Sequence, residues 1–404
     1  MLSVEQASEI VLKNVVRNPA ESAPLPDALG RVLAEDIASD IDMPPFDRSM
    51  MDGYALNAQD AQFAPARLEI VGFIPAGAFP KFSLEPGQAA KIMTGAPLPV
   101  GADAVREFEK TSLLNHGQTV EIQEAVRTGQ NIVKQASELS KGEIVLTAGT
   151  YIHPAVVGLL ASLGKANVQV FQAPRVAILS TGDELVEPAA LPLQGQIRNS
   201  NSFTLQALCT SMGLQTQMLG IAKDDKSILR HKIELGLSAD ILLITGGVSV
   251  GDHDFVKDVF DELGLEIHFQ KVAIKPGKPT VFAKNAEKVI FGLPGNPVSC
   301  ATVFEVLVRP AIRKMLGYPV YHNAMVKAVL TNYFANRSQR ENYHPCVTWY
   351  EEGEFFCRPL TTRGSGDISA YSKANSYLVC PIDCTELVEG TQATVILRDE
   401  YYLT

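Results

Sequence analysis

The sequence predicts a multidomain α/β protein with a doubly wound parallel sheet, a split helical domain, an inserted β-rich domain and a C-terminal β domain. Apolar strands alternate with helical stretches across residues 173–318, a pattern typical of a parallel sheet covered by helices. Glycine, proline and β-branched residues dominate 46–142, and hairpin-like pieces recur over 319–404. A chain of 404 residues is long enough for several domains of roughly 100–200 residues each.

The helical domain is expected to be split between residues 1–45 and 143–172. The N-terminal stretch spaces its valines and isoleucine as an amphipathic helix does. Residues 153–164, HPAVVGLLASLG, repeat a helical pattern that stops at Gly164. We expect these two helices to pack together, which makes the β-rich segment 46–142 an insertion.

Composition and charge exclude several classes of protein. There are 45 acidic and 35 basic residues, a net charge of −10, which argues against duplex nucleic acid or an anionic membrane as the general partner. No apolar run approaches the roughly 18–20 residues that span a bilayer, and the N-terminus lacks the apolar core of a signal peptide. Cys380 and Cys384 have no second matching pair, which disfavours a zinc site. The six cysteines indicate reduced thiols in a cytoplasmic protein.

Glycines, carboxylates and lysines concentrate where the predicted strands end. The loops concerned are 180–184, 224–225, 246–254, 275–279 and 294–297. In open α/β sheets, ligands bind beyond the carboxyl ends of the strands, so these loops predict one site. Each loop alone has a plainer interpretation as a tight turn, a helix N-cap or a solvated strand edge. Their coincidence at one sheet edge favours a binding site.

The residue types in these loops indicate a phosphate-bearing substrate and a divalent metal. The glycines of 246–251 would let backbone N–H groups approach a phosphate closely. Pro297 suits the first turn of a helix, whose N-terminus could face an anion. Oxygen ligands of the kind that Mg²⁺ prefers would come from the carboxylates Asp183, Asp224, Asp252 and Asp254.

A basic strip stands out against the net negative charge. Residues 267–284 contain Lys271, Lys275, Lys278 and Lys284 and no acid. The sequence contains neither a Gly-x4-Gly-Lys-Ser/Thr loop nor a Gly-x-Gly-x-x-Gly motif, so it predicts neither a P-loop enzyme nor a typical dinucleotide-binding domain.

Six longer motifs resemble one known family. They are FDRSMMDGYAL (46–56), IMTGAPLP (92–99), STGDEL (180–185), TGGVSVGDHDF (245–255), KVAIKPGKP (271–279) and GLPGNPVS (292–299). Together they resemble the MoeA family, which is related to the E-domain of gephyrin, and they run in order over essentially the whole chain. The resemblance implies a molybdopterin-binding α/β domain at 173–318, a split dimerisation domain, and a barrel-like domain at 319–404. It also implies a homodimer whose sites are shared between subunits.

The resemblance implies the last step of molybdenum cofactor synthesis. Members of this family are molybdopterin molybdenumtransferases, which convert adenylylated molybdopterin and molybdate into molybdenum cofactor and AMP with Mg²⁺. Molybdopterin adenylyltransferase and apo-molybdoenzymes are the protein partners that this role suggests. Two alternatives stay open: a molybdopterin adenylyltransferase, which shares the α/β domain, and a non-catalytic scaffold like gephyrin.

The resemblance also implies roles for individual residues. The expected catalytic residues are Asp254, Asp224, Asp183 and Lys275, with Asp224 and Asp254 as the Mg²⁺ ligands. Arg340 and Ser365 would face molybdate, and Asp52 and Thr94 would complete the site of the partner subunit. The other substrate-binding residues expected from the loops and the resemblance are Glu184, Gly246, Gly247, Ser249, Lys271, Lys278, Pro294, Pro297 and Ser299.

Two loops depart from the family pattern. At 134–139 the chain reads KQASEL, so Glu138 replaces an aspartate, and Lys134 is the remaining basic residue. At 105–109 it reads VREFE, where the family has Val-Val-x-Gln-Glu. A carboxylate longer by one methylene can shift a contact by about 1 Å, which can cost roughly a hundredfold in rate.

Overall fold

The computed structural model describes residues 1–247, 255–286 and 288–398, with Phe255 and Lys257 described by their backbones alone. These residues form two compact units. The first contains Met1–Ala34, Gly149–His153 and the described residues from Asn167 onward; the second contains Glu35–Ala148 and Pro154–Ala166. The predicted site residues Ser249, Asp252 and Asp254 lie outside the described residues.

A six-stranded sheet forms the centre of the first unit. Its strands are β1 (Val176–Thr181), β2 (Thr216–Ala222), β3 (Ile241–Thr245), β4 (Glu266–Lys271), β5 (Pro279–Asn285) and β6 (Lys288–Leu293). They lie in the order β2-β1-β3-β6-β5-β4, and β2, β1, β3 and β6 are mutually parallel. Strand β5 is antiparallel to both of its neighbours, so β4 points the same way as the parallel strands.

Strand β5 differs from the all-parallel sheet that the sequence predicts. Asn285 and Lys288 are register partners across β5 and β6, and a connection this short permits only an antiparallel pair. The sequence prediction treated this stretch as part of the basic strip, but Val281, Phe282 and Ala283 are buried in the sheet.

Helices cover both faces of the sheet, as a doubly wound fold requires. On one face lie α1 (Val4–Asn14), α2 (Asn201–Ser211) and α5, which runs from Pro297–Val303 through a π-helical turn (Phe304–Val308) to Arg309–Met315. On the other lie α3 (Lys226–Gly236) and α4 (Phe255–Glu262). Ile178 and Leu179 of β1 enter the two opposite cores, because successive side chains of a strand point to opposite faces.

Helix α1 belongs to the core of the sheet. A capping box starts it, in which Ser3 and Gln6 each accept a hydrogen bond from the other's backbone N–H. Its buried residues Val4, Ala7 and Val11 share a core with the π-helical turn of α5. The sequence groups α1 with the helix of 153–164, whereas its apolar face helps to cover the sheet.

Five strands of the first unit close into a barrel. They are β7 (Met325–Leu330), β8 (Glu341–Glu351), β9 (Glu354–Pro359), β10 (Ser376–Cys380) and β11 (Gln392–Leu397). Strand β8 pairs with β9 and β10, β7 pairs with β9 and β11, and β10 pairs with β11, which closes the ring. The barrel-like C-terminal domain is therefore confirmed. A short strand, Ile274–Lys275, adds to β8 in parallel and links the barrel to the loop after β4.

The second unit is built on another six-stranded sheet. Its strands are Gly53–Leu56, Ala66–Ile74, Gln88–Ile92, Ala104–Glu107, Thr111–Leu114 and Thr119–Ile122. This confirms the β-rich character of the inserted segment. The helix Pro154–Ser162 also belongs to this unit, and Gly164, with φ of +72°, follows its end as the sequence predicts.

Short strand pairs complete the fold. Ala20–Pro24 pairs with Asn167–Phe171, and Ile37–Ala38 pairs with Ile144–Leu146, so strands join the two segments that the sequence assigns to one split domain. Other short elements are the strands Arg48–Ser49, Ile132–Val133, Leu185–Val186, Ile197–Arg198, Phe334–Ala335 and Glu386–Leu387, the helix Ile368–Tyr371, and the 3-10 turns Leu25–Asp27, Ala58–Ala61, Phe108–Lys110 and Asn115–Gly117. Among the described helices, none combines the length and apolar character needed to cross a membrane.

Candidate active site

A cavity of about 830 Å³ lies at the carboxyl ends of β1, β3 and β6 and extends to the first residues of β8. The structure brings eight of the predicted site residues together in its wall. They are Glu184, Gly246, Lys275, Pro294, Pro297, Ser299, Arg340 and Ser365. Sheet and barrel thus both contribute to one cavity within the first unit.

The N-terminus of α5 forms one wall of the cavity. Pro297 occupies the first turn, where a missing N–H costs nothing. The Val298 N–H donates to the Ser365 carbonyl at 3.1 Å, and the Asn296 side-chain amide donates to Ser365 Oγ at 2.9 Å. These two bonds fix the Ser365 loop against the helix end, where the helix dipole favours an anion.

Asn201 ties the loops after β3 and β6 together. Its side-chain amide donates to Thr245 Oγ1 at 2.8 Å and to the Gly295 carbonyl at 2.7 Å. Thr245 in turn donates to the Pro294 carbonyl at 3.3 Å. This buried network holds the glycine turn and the Pro-Gly-Asn-Pro loop in a fixed relation, and the sequence argument missed it because Asn201 begins α2, far away along the chain.

Two cations face the cavity from the barrel side. Lys275 is positioned by the pairing of Ile274–Lys275 with Glu341–Asn342, and the Arg340 guanidinium donates to the Ile274 carbonyl at 3.0 Å. Both side chains are half-buried, and no carboxylate among the described residues forms an ion pair with either. Glu184 is the one acid among the described residues of the cavity wall. The wall therefore carries positive charge that an anionic ligand would neutralise.

The thiol of Cys300, the residue after the cavity residue Ser299, lies in a buried environment. Cys300 follows Ser299 in α5 and is fully buried. Burial raises the pKa of the Cys300 thiol to about 12, although a hydrogen bond with Thr245 opposes the shift. The thiol therefore stays protonated at neutral pH.

The turn that follows β3 requires glycine. Gly246 and Gly247 have φ values of +86° and +63°, a region that other residues rarely adopt. A Cβ on Gly246 would lie 2.4 Å from the Thr181 carbonyl oxygen, and one on Gly247 would lie 2.4 Å from Thr181 Oγ1. The glycines thus let the β3 loop pass directly over the end of β1.

Replacing Gly246 by alanine should lower the free energy of unfolding by about 1–3 kcal/mol, because the new Cβ meets backbone and the positive φ is strained. Urea unfolding monitored by circular dichroism measures the effect. Gly158→Ala is the control: it lies in a helix, and beyond its chain neighbours and the backbone of that helix no atom lies within 4 Å of the added Cβ, so a gain of about 0.5–1 kcal/mol is expected. A Gly246→Ala variant as stable as the natural protein would contradict the strain.

The acidic residues near this edge separate into two roles. Asp225 is the N-cap of α3, accepting from the Ser227 and Ile228 backbone N–H groups, and the Ser227 hydroxyl bond together with these lowers its pKa. Asp224 and Asp183 are both exposed. They are neighbours in space, since the Asp224 N–H donates to Asp183 Oδ1 at 3.2 Å. Lys223 Nζ donates to the Asp183 carbonyl at 3.1 Å. Within the described part of the chain, no cluster of three or more metal-ligating side chains is present.

The structure places several predicted residues outside the cavity wall. Gly247, Lys271 and Lys278 are exposed and absent from the described lining, as are Asp183 and Asp224. Lys284 lies opposite Glu266 at the start of β4, because β5 runs against its neighbours. The lysines of the basic strip therefore lie at opposite ends of the strands, with Lys271 where β4 ends and Lys284 where β4 begins.

Asp52 and Thr94 form a contact of their own in the second unit. Asp52 Oδ1 accepts from the Thr94 N–H and from Thr94 Oγ1, each at 2.7 Å. These bonds lower the pKa of the exposed Asp52 carboxyl, so it is ionised at neutral pH. The pair presents a fixed negative charge at the surface of the unit.

Both atypical loops of the second unit are held by ion pairs. Glu138 Oε1 accepts from Arg48 at 3.0 Å, and Lys134 bonds Asp47 at 2.7 Å. Arg106 is buried and donates to Glu124 at 2.5 Å. Glu138 and Arg106, which depart from the family pattern, thus each have an ion-pair partner within the second unit.

His344 is a cavity residue that the sequence argument missed. It lies in β8, lines the cavity near Lys275, and forms a 2.7 Å hydrogen bond through Nε2 with the Leu360 carbonyl. Its ring packs on Phe334 with centroids 4.7 Å apart. No loop motif marks this histidine, which is why pattern reasoning did not select it.

The doubly wound sheet, the cationic cavity at its strand ends and the closed barrel define a multidomain α/β protein with a candidate anion-binding site. Three family models match the chain. They are the MoeA N-terminal region (domain I and II) over residues 2–164, the probable molybdopterin binding domain over 177–314, and the MoeA C-terminal region (domain IV) over 327–397.

Full-length relatives agree with these matches. The molybdopterin molybdenumtransferase of Bacillus subtilis is 36% identical, with 99% of this chain and 94% of the relative covered. That of Staphylococcus epidermidis is 33% identical over 98% of this chain and 96% of its own. The crystal structure of a molybdopterin biosynthesis MoeA protein from Pyrococcus horikoshii is 32% identical, with 98% and 100% covered and a TM-score of 0.85. The chain belongs to the MoeA family.

Proposed function

We propose that the chain is a molybdopterin molybdenumtransferase, a transferase that inserts molybdate into adenylylated molybdopterin and releases AMP in molybdenum cofactor biosynthesis. The observation that carries this proposal is the pairing of two anion-favouring features in one cavity. Lys275 and Arg340 face it from the barrel side without a described carboxylate partner, and the α5 N-terminus with Ser299 contributes to the same wall from the α/β domain. Lys275 and Arg340 suit molybdate, and the α5 N-terminus with Ser299 suits the phosphoanhydride.

The chemistry of these residues fits cleavage of a phosphoanhydride. Negative charge gathers on phosphate oxygens as the bond breaks, and positioned cations and helix N–H groups lower the barrier by stabilising that charge. Gly246, Pro294 and Pro297 shape the backbone that would meet the phosphates. The sulfur atoms that replace an oxygen of molybdate belong to the substrate. The proposed reaction therefore needs no reactive protein thiol, which agrees with the buried, protonated Cys300.

Mg²⁺ is part of the proposal. Asp183 and Asp224 are exposed neighbours, and Asp183 precedes the cavity residue Glu184. Mg²⁺ typically takes one or two carboxylates together with substrate phosphates, so their oxygens fit the ion. Asp224 would hold it together with Asp254, which lies outside the described residues. When bound, the ion would neutralise charge on the phosphate oxygens.

The assembly and location of the protein complete the proposal. We infer a homodimer in which Asp52 and Thr94 of one subunit serve the site of the other. Free cysteines throughout the described residues, five of them buried, suit the reducing cytoplasm. The proposed protein partners are a molybdopterin adenylyltransferase, which would supply the substrate, and apo-molybdoenzymes, which would accept the product.

One experiment separates this function from its alternatives. The purified protein is incubated with adenylylated molybdopterin, Mg²⁺ and molybdate, and AMP release is measured with reconstitution of an apo-molybdoenzyme. We expect both signals, and we expect both to disappear when EDTA removes Mg²⁺. Consumption of ATP with free molybdopterin would instead support an adenylyltransferase, and the absence of every reaction would support a scaffold.

A further inference from the structure

His344 lies between two cavities of the first unit. It lines the substrate cavity, and it also lines a second cavity of about 500 Å³ on the barrel, which is bounded by Tyr333, Phe334 and Arg358. Thr362 is shared between the two walls as well. His344 is therefore a wall residue of both cavities, and it shares the wall of the substrate cavity with Lys275 and Arg340.

The hydrogen bond to Leu360 determines which ring nitrogen carries the proton. A carbonyl oxygen only accepts, so Nε2 must donate across the 2.7 Å contact. In the neutral ring, Nδ1 is then an unprotonated acceptor. None of the described residues forms a hydrogen bond with Nδ1.

The surroundings favour the neutral ring. Burial and the nearby Lys275 ammonium lower the pKa of His344, although the bond to Leu360 opposes the shift. The other charged or titratable side chains of the two cavity walls are Glu184, Arg198, Arg340, Arg358, Tyr333 and Tyr343. Since cations outnumber the single carboxylate, the field around the ring disfavours a further positive charge.

We propose that His344 Nδ1 relays a proton from a substrate thiol to the departing oxygen of molybdate. The inference rests on the proposed function, which brings an ene-dithiol and molybdate together at this end of the cavity. The ring is fixed by Leu360 and Phe334, and its Nδ1 has no hydrogen-bond partner among the described residues. Because His344 lines the same cavity as Lys275 and Arg340, it can take a proton from a group next to an oxyanion that these cations hold.

The step balances without any redox partner. Two S–H bonds break, two Mo–S bonds form and one Mo–O bond breaks. Both thiol protons leave on the released oxygen as water, so molybdate and the dithiol give a trioxo dithiolene complex of unchanged charge. Molybdenum stays in its highest oxidation state, and His344 returns to the neutral ring after each transfer.

The test compares His344→Gln and His344→Ala with the natural protein, using adenylylated molybdopterin, molybdate and Mg²⁺. Glutamine can keep a donor for the Leu360 carbonyl but takes up no proton. We expect both variants to release molybdenum cofactor at least about tenfold more slowly, since general acid–base groups contribute about 10²–10⁴-fold. The natural protein should lose rate towards acidic pH as Nδ1 becomes protonated, His344→Gln should lack that limb, and added imidazole should restore His344→Ala.

Matched controls make the result decisive. His231 is exposed on α3, and His231→Gln should keep the natural rate and pH profile. If His344→Gln also keeps them, or imidazole does not restore folded His344→Ala, the relay is wrong while the proposed function stands. If the natural protein itself forms no cofactor, the proposed function fails instead.

Discussion

Replacing Lys275 by alanine should lower molybdate-dependent AMP release by about a hundredfold to a thousandfold while the protein stays folded. Removal of one preorganised group that stabilises transition-state charge typically has this effect. Lys275 faces the cavity beside Arg340 without a described carboxylate partner, so its loss removes a substantial part of the positive charge from the oxyanion end. Steady-state AMP release, measured over a range of molybdate concentrations, checks the prediction.

The molybdate dependence distinguishes the proposed role from a structural one. We expect the KM for molybdate to rise in Lys275→Ala more than the KM for adenylylated molybdopterin. Lys327→Ala is the control, because this exposed lysine of β7 bonds only Thr394 on the barrel surface among the described residues. A Lys275→Ala variant with natural turnover and natural molybdate dependence would remove Lys275 from the site.

Replacing Glu305 by alanine should lower the free energy of unfolding by about 3–5 kcal/mol, because it leaves a buried guanidinium without its carboxylate. Glu305 lies in the π-helical turn of α5 and is 3% exposed; Arg309 is 2% exposed. Arg309 donates to both Glu305 oxygens, at 2.6 and 3.1 Å, and Asn323 donates to one of them at 2.9 Å. Urea unfolding followed by circular dichroism measures the loss.

The paired replacement provides the informative control. Changing Glu305 and Arg309 together to leucine removes both charges, and such replacements of buried pairs are often neutral or stabilising. We therefore expect most of the lost stability to return. The Arg67–Glu121 pair on the surface of the second unit should contribute little when broken. A Glu305→Ala variant within 1 kcal/mol of the natural protein would show that the buried pair is not needed for stability.

The α/β architecture could be predicted because its strands are short, apolar and separated by amphipathic helices. The reversal of β5 could not, because Val281–Ala283 look like any buried strand and the hairpin at Asn285 and Lys288 carries no strong turn motif. That single reversal also explains why Lys284 lies near the start of β4, whereas Lys275 lies beyond its end.

The candidate site was predictable where residues follow strands within one domain. Gly246, Pro294 and Pro297 lie in loops that the carboxyl-end rule selects, and the structure places them in one wall. Asn201 and His344 were missed because their importance comes from pairing across the fold: one bridges two loops from a helix start, and the other enters from the barrel. Pattern and spacing do not reveal such contacts.

Counting AMP against inserted molybdenum tests the proposed reaction most directly. The natural protein is given adenylylated molybdopterin and Mg²⁺ with or without molybdate, and AMP and dithiolene-bound molybdenum are measured in the same samples. We expect the two products in equal amounts, and little of either without molybdate. AMP released equally well without molybdate, or no dithiolene-bound molybdenum in its presence, would contradict the assignment of the chain as a molybdenumtransferase.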